Sequence, residues 1–140
     1  DIRKKAGDRA VLRALHFLGD NERVTRQVAA LEKNDFRSFL KLITESGNSS
    51  YKRLQNIYSP GNVGEQGVAL ALALTENFLE KTGEGACRVH GGGFAGTIQV
   101  FLPNRAVESY GALMKPVFGK DAVHALKIRA VGTLHLNKLI

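Results

Sequence analysis

Residues Gly85 to Pro103 read GACRVHGGGFAGTIQVFLP: three consecutive glycines, an aromatic residue and a further glycine set between two short runs of strand-like sequence. Ala86-Cys87-Arg88-Val89-His90 and Thr97-Ile98-Gln99-Val100-Phe101-Leu102 predict the strands, and Pro103, which cannot donate to a ladder, ends the second. A phosphate loop built on a helix needs its glycines followed by helix, so that free N–H groups and the positive dipole end face the anion. Here strand follows. The lysine and Ser/Thr of a P-loop are missing, and Gly91-Gly92-Gly93-Phe94-Ala95-Gly96 lacks the spacing of a dinucleotide fingerprint. Three physical readings remain: a turn that needs positive φ, a backbone nest for an anion, or a surface kept bare for close approach of another backbone. Three adjacent glycines exceed the needs of a tight turn, because each adds unfolded-chain entropy that folding must overcome.

Upstream of the hairpin the pattern is helical. Val11, Leu12, Leu15 and Leu18 share one helical face, Gly19-Asp20-Asn21 predicts a break, and Val24, Val28 and Leu31 resume the period to Asn34-Asp35. Phe36, Phe39, Leu40 and Ile43 form a third stripe, with Asp35 as N-cap and Gly47 where a C-terminal glycine belongs. Ser46 to Gly67 is turn-rich and predicts a long loop or a helix ending before Pro60. In VALALALTENFLEKTG the leucines alternate as in a strand. Alanine fills the intervening positions, however, and predicts a buried helix from Glu65 to Lys81 before Gly83.

Downstream, Asn104 predicts the cap of a helix through Val107, Tyr110, Met114 and Val117, disturbed by Pro116 near Gly119. Leu126, Ile128 and Ala130 alternate with Lys127 and Arg129, Gly132 suggests a bulge, and Leu134 and Leu136 resume the apolar phase of a last strand. The order is helices, strand, loop, strand, helix, strand, an α+β fold in which helices cover a small antiparallel sheet.

The 140 residues suit one domain of ordinary size, with 44% hydrophobic and 24% charged residues excluding a disordered composition. The net charge is +7, which suits an anionic partner, but the cations are not gathered into one block. Arg3, Lys4, Lys5, Arg9 and Arg13 cluster at the start, whereas Arg23, Arg26, Lys33, Arg37 and Lys41 alternate with acids as on solvated helix faces. No run predicts a membrane span, and the chain reads as a soluble piece of something longer. Cys87 has no partner for a disulfide, so a reducing cytoplasm is the expected compartment.

The glycine stretch and its flanks resemble the third conserved motif of the galactokinase branch of the GHMP small-molecule kinases, which include galactokinase, homoserine kinase, mevalonate kinase and phosphomevalonate kinase. Arg9-Ala10 through His16, Asp20-Asn21-Glu22-Arg23-Val24 and Ile43-Thr44-Glu45-Ser46-Gly47-Asn48-Ser49 are similar to the C-terminal half of galactokinases in order and spacing. The resemblance covers essentially the whole chain. The chain departs from the pattern at Gly47, usually histidine; at Ala95, usually glycine; at Thr97, usually cysteine; and after Ser59-Pro60, where Glu-Leu-Asp is usual.

That resemblance implies a ferredoxin-like C-terminal kinase domain over residues 1–140, whose N-terminal ATP- and sugar-binding domain is not in this chain. It implies transfer of the γ-phosphoryl group of ATP to the C1 hydroxyl of galactose, with ATP and Mg²⁺ held by the whole enzyme and neither by this piece. Gly91, Gly92, Gly93, Phe94 and Gly96 would line the end of the cleft beside the phosphate loop of the other half, with Arg88 and His90 as flanking contacts. No catalytic residue is expected here. The implied partners are the N-terminal domain, galactose and ATP, and an uncovered interface is expected to make the isolated piece self-associate. A sugar and ATP sensor without catalysis, or another kinase of the group such as an N-acetylgalactosamine kinase, is the alternative.

Other chemistries fit less well. His16, His90, His124 and His135 show no ligand spacing and there is no Cys-x-x-Cys, so no metal site is expected. Cys87 beside Arg88 and His90 invites a nucleophile, but a small buried residue is the preferred reading. An RNA-binding sheet needs several aromatics on one face, and only Phe101 projects beside Thr97 and Gln99. Neither nucleic acid nor membrane is therefore an expected partner.

Overall fold

A computed structural model describes residues 1–94, 96–128, 132 and 135. The chain divides into two compact units, Asp1–Ala106 and Val107–Ile140.

The first unit opens with α1, Ile2–Glu32, capped by the Asp1 carboxylate, which accepts from the Lys4 N–H. Gly7, at φ 78° and ψ 169°, interrupts the helical backbone near its start. The predicted break at Gly19-Asp20-Asn21 does not occur: the helix runs straight through it. A glycine inside a helix costs about 1 kcal/mol relative to alanine, and here tertiary contacts outweigh it. Asp20 directs its carboxylate to Arg23, three residues on, and to Ser46 of the next helix, a long-range contact that no local pattern reveals.

The predicted second and third helices are thus the end of α1 and α2, Phe36–Ser49, which starts at the expected cap: the Asp35 carboxylate accepts from the Ser38 N–H at 3.0 Å. Gly47 is not its C-terminal glycine. α2 continues past it to Ser49 and then loosens into a π-helical turn, Ser50–Leu54, closed by Gln55 in the left-handed region. Residues 55–66 form turns, including a bridge between Ser59 and Asn62. α3, Gly67–Thr82, is the predicted alanine-rich helix but not a buried one: it buries Val68 and Thr75 while Leu70 is exposed, because it covers one side of the hairpin only. It ends on Gly83 at φ 77°, where glycine carries no Cβ penalty.

β1, Ala86–Val89, and β2, Ile98–Phe101, form the predicted antiparallel hairpin, with Ala86 opposite Phe101 and Val89 opposite Ile98. α2 and α3 both pack against β1. Alternation along a strand sends neighbouring side chains to opposite faces, so the hairpin carries two apolar clusters. Ala86 and Phe101 join Ala30, Phe39 and Ile43 of α1 and α2; the Phe39 and Phe101 rings meet edge to face with centroids 5.5 Å apart. Val89 and Ile98 join Ile57, Val68 and Leu72 on the α3 side. Among the described residues the sheet has these two strands and the fold is α+β, with helices covering a small antiparallel sheet. Residues 104–106 form a short 3₁₀ turn after Pro103.

The second unit begins with α4, Val107–Phe118, which contains Pro116 in its last turn and ends before Gly119 at φ 100°. The expected last strand is not formed where it can be judged: residues 123–128 have no regular structure, and Leu126 and Ile128 are exposed. An apolar alternation becomes a strand only when a ladder accepts it. Arg129, Ala130, Leu134 and Leu136 of that expectation lie outside the described residues. Among the described residues no helix is long and apolar enough to cross a membrane.

Candidate functional site

The glycine loop is fixed from below and open above. At its base the His90 N–H donates to the Thr97 carbonyl at 3.1 Å, extending the hairpin by one bond. At its tip the loop is held by Asn56, which the π-helical turn and Gln55 deliver beneath it. The Phe94 N–H donates to the Asn56 carbonyl at 2.9 Å, and the Asn56 Nδ2 amide donates to the Gly92 carbonyl at 3.2 Å. Asn56 is 2% exposed. Its Oδ1 is buried with no hydrogen-bond partner among the described residues, a costly arrangement that packing against the loop sustains.

Gly93 makes this contact possible. It sits at φ 75°, and a β-carbon there would lie 2.2 Å from the Asn56 carbonyl oxygen and 2.7 Å from Nδ2. Gly91 and Gly96 also adopt positive φ, at 65° and 84°, but a β-carbon on either, or on Gly92, would meet nothing within 4 Å. Phe94 is held at φ 57°, a conformation uncommon outside glycine, and leaves half of its surface exposed. Ala95 lies outside the described residues. The loop therefore presents bare backbone and one aromatic ring on a pinned base.

The two flanking candidates part company. His90 is exposed at the mouth of the hairpin. Arg88 turns to the α2 face, where its Nη1 donates to Ser46 Oγ at 2.6 Å and its Nε donates to the Val89 carbonyl at 3.1 Å. Its stem packs on Gly47, where a β-carbon would approach the Arg88 Cβ to 2.9 Å. Gly47 is thus a close-approach glycine inside a helix.

Arg88 belongs to a polar network that sequence reasoning missed. The Asp20 carboxylate accepts from Ser46 Oγ at 2.7 Å and from Arg23 Nη1 at 2.8 Å. His16 Nδ1 lies 3.0 Å from Ser49 Oγ, while its Nε2 is 3.8 Å from Asp20. Burial lowers the His16 pKa; the Asp20 charge opposes this, and Arg23, Arg88 and Arg53 reinforce it. Burial thus favours the neutral imidazole, and Nε2 lies beyond hydrogen-bond distance of Asp20. Burial works to raise the Asp20 carboxyl, but hydrogen bonds from Ser46 and Arg23 and the nearby cations outweigh it, so the carboxyl lies below its ordinary value. The i, i+4 spacing of His16 and Asp20 was the visible signal; Ser46 and Ser49 carried none.

Cys87 does not make a nucleophile. It is buried, and burial together with Glu76 pushes its thiol up to about 12, so the reactive thiolate is scarce near neutral pH. Among the described residues no group of three His, Cys, Asp or Glu side chains could hold a metal ion. Phe101, the aromatic that could have offered a stacking surface, packs against Phe39 in the core. Comparison of the chain with protein-family models, curated proteins and solved structures yields no match.

Proposed function

We propose that this chain is the C-terminal half of a kinase of the galactokinase branch, with a ferredoxin-like domain whose glycine loop forms one wall of the cleft. There the γ-phosphoryl group of ATP passes to the C1 hydroxyl of galactose. The observation that carries this reading is the loop itself: Gly93 and Asn56 fix its base, while Gly91, Gly92 and Gly96 are exposed, with open space where a β-carbon would sit. Such a surface suits close approach by a second backbone or by a substrate hydroxyl, and it costs no reorganisation when the cleft forms.

Phosphoryl transfer depends on in-line positioning and neutralisation of charge on the moving group. The chain's part is to shape the cleft, exclude water and offer backbone donors. Among the described residues no group of three His, Cys, Asp or Glu side chains could hold the Mg²⁺ that accompanies ATP in such enzymes, and its ligands are assigned to the N-terminal half. The carboxylate that orients the sugar hydroxyl is assigned to the N-terminal half. Phe17, Leu18, Val24 and Val28 of α1 are at least half exposed, a surface that suits coverage by that half and drives self-association of the isolated chain.

A coupled ATP-consumption assay on the polypeptide that carries these residues tests the reading, with galactose, N-acetylgalactosamine, homoserine and mevalonate compared. Galactose-dependent turnover is expected, and the 140-residue chain alone is expected to show none. Turnover with homoserine or mevalonate in place of the sugars, or sugar binding without turnover, would overturn it.

A further inference from the structure

Beside the Asp20 network, α1, α2 and the π-helical turn form an open groove lined by Arg23, Glu45, Asn48, Ser49, Lys52 and Arg53. Two of its lining residues bring their guanidinium groups together over Gly19 of α1. A β-carbon on Gly19 would lie 3.5 Å from Arg23 Nη2 and 3.5 Å from Arg53 Nη1, so both nitrogens reach the same point above the bare helix backbone. The Arg23 side chain is 13% exposed. Like charges brought together repel unless a counter-charge joins them.

The protein supplies too little of it. Asp20 receives Arg23 Nη1, and Glu45, the one carboxylate lining the groove, lies 3.9 Å from Arg26. Arg53 has no carboxylate within ion-pair distance among the described residues; its Nη1 donates instead to a neutral acceptor, the Leu15 carbonyl, at 2.9 Å. That leaves Arg53 most of its five N–H donors, and leaves Arg23 its Nη2 and Nε. Lys52 adds a further charge, and Asn48 and Ser49 add neutral polar groups. The π-helical turn carries Lys52 and Arg53, and such turns are rare and concentrate at functional sites.

We infer that this groove binds a phosphate group, bridged between the guanidinium groups of Arg23 and Arg53 with Lys52 at its edge. Planar guanidinium forks match the oxygens of a tetrahedral oxyanion, and a doubly charged phosphate offsets both arginines at once. The site lies on α1, α2 and the π-helical turn, and it does not rest on the role proposed for the glycine loop. Either inorganic phosphate or the phosphate of a nucleotide offers this chemistry.

The test is a titration of the 140-residue chain at low ionic strength, following the arginine Nε–H signals by heteronuclear NMR with inorganic phosphate, with magnesium-free ATP, and with chloride at matched ionic strength. Saturable shifts of Arg23 and Arg53 are expected, with a dissociation constant of about 1 mM or tighter, and Arg53→Gln is expected to weaken it about tenfold. Arg105, paired with Glu84 on the surface, should not move. Saturation by ATP well below the phosphate concentration identifies a nucleotide as the carrier; equal or weaker ATP binding identifies free phosphate. The exposed Lys52→Gln variant gives a second reading should Arg53→Gln fold poorly. Non-saturating shifts matched by chloride, or undiminished affinity in the folded variants, would overturn the site.

Discussion

Gly93 and Asn56 are in direct backbone contact: the space that any β-carbon on Gly93 would fill is taken, 2.2 Å away, by the Asn56 carbonyl oxygen. This contact joins the tip of the hairpin to the segment after α2, residues far apart in sequence. The same carbonyl accepts the Phe94 N–H, so the steric and hydrogen-bonded fits are one arrangement.

Gly93→Ala is therefore expected to destabilise the fold by at least about 2 kcal/mol, since left-handed backbone costs alanine about 1–2 kcal/mol before the clash is counted. Urea unfolding followed by circular dichroism checks it. An unchanged midpoint would mean that the loop is not pinned on Asn56.

Two helical glycines should respond to alanine with opposite signs. Gly47→Ala puts a methyl group 2.9 Å from the Arg88 Cβ, an atom that cannot swing aside, and is expected to cost roughly 1–3 kcal/mol. Gly19→Ala meets only the flexible ends of Arg23 and Arg53 at 3.5 Å, so the helix gains about 0.5–1 kcal/mol. Thermal melts of both variants separate a close-approach glycine from a tolerated one.

Acid should weaken the fold in two stages. His16 binds its proton less well folded than unfolded, so its contribution is full above the unfolded value of 6.5 and is lost as pH falls below it. Asp20 has the same sign at lower pH: its contribution is full above 3.8 and is lost as the carboxyl protonates below that. The urea midpoint should fall between about pH 7 and pH 5, and His16→Gln, which removes the proton acceptor while keeping polar contact with Ser49 possible, should flatten that fall. An identical slope in wild type and variant would assign the acid sensitivity elsewhere.

Local signals carried the hairpin, the Asp35 cap, the alanine-rich helix and its Gly83 end, because each depends on residues a few positions apart. The errors have a common physical source. Gly19-Asp20-Asn21 looked like a break and Gly47 like a cap, yet both are settled by partners outside the local window: Ser46 for Asp20 and Arg88 for Gly47. The alternation through Leu126 and Ile128 had the period of a strand, yet neither residue joins a ladder among the described residues. In the site, the glycines announced a bare loop, but nothing in QNIYSP marked Asn56 as its support, since a buried amide is recognised only once its neighbours are in place. The His16–Asp20 spacing was visible in the sequence, whereas the serines that complete the network were not.

Gly92 offers the most direct test of the loop's role, because it has open space around it and its φ is not in the positive range that penalises a side chain. Gly92→Val in the polypeptide that carries this chain should leave the unfolding free energy from urea titration within about 1 kcal/mol of wild type while lowering galactose-dependent ATP turnover at least about tenfold. Undiminished turnover in the folded variant would contradict a loop that walls the cleft, and absence of galactose-dependent turnover in the unaltered protein would contradict the kinase reading.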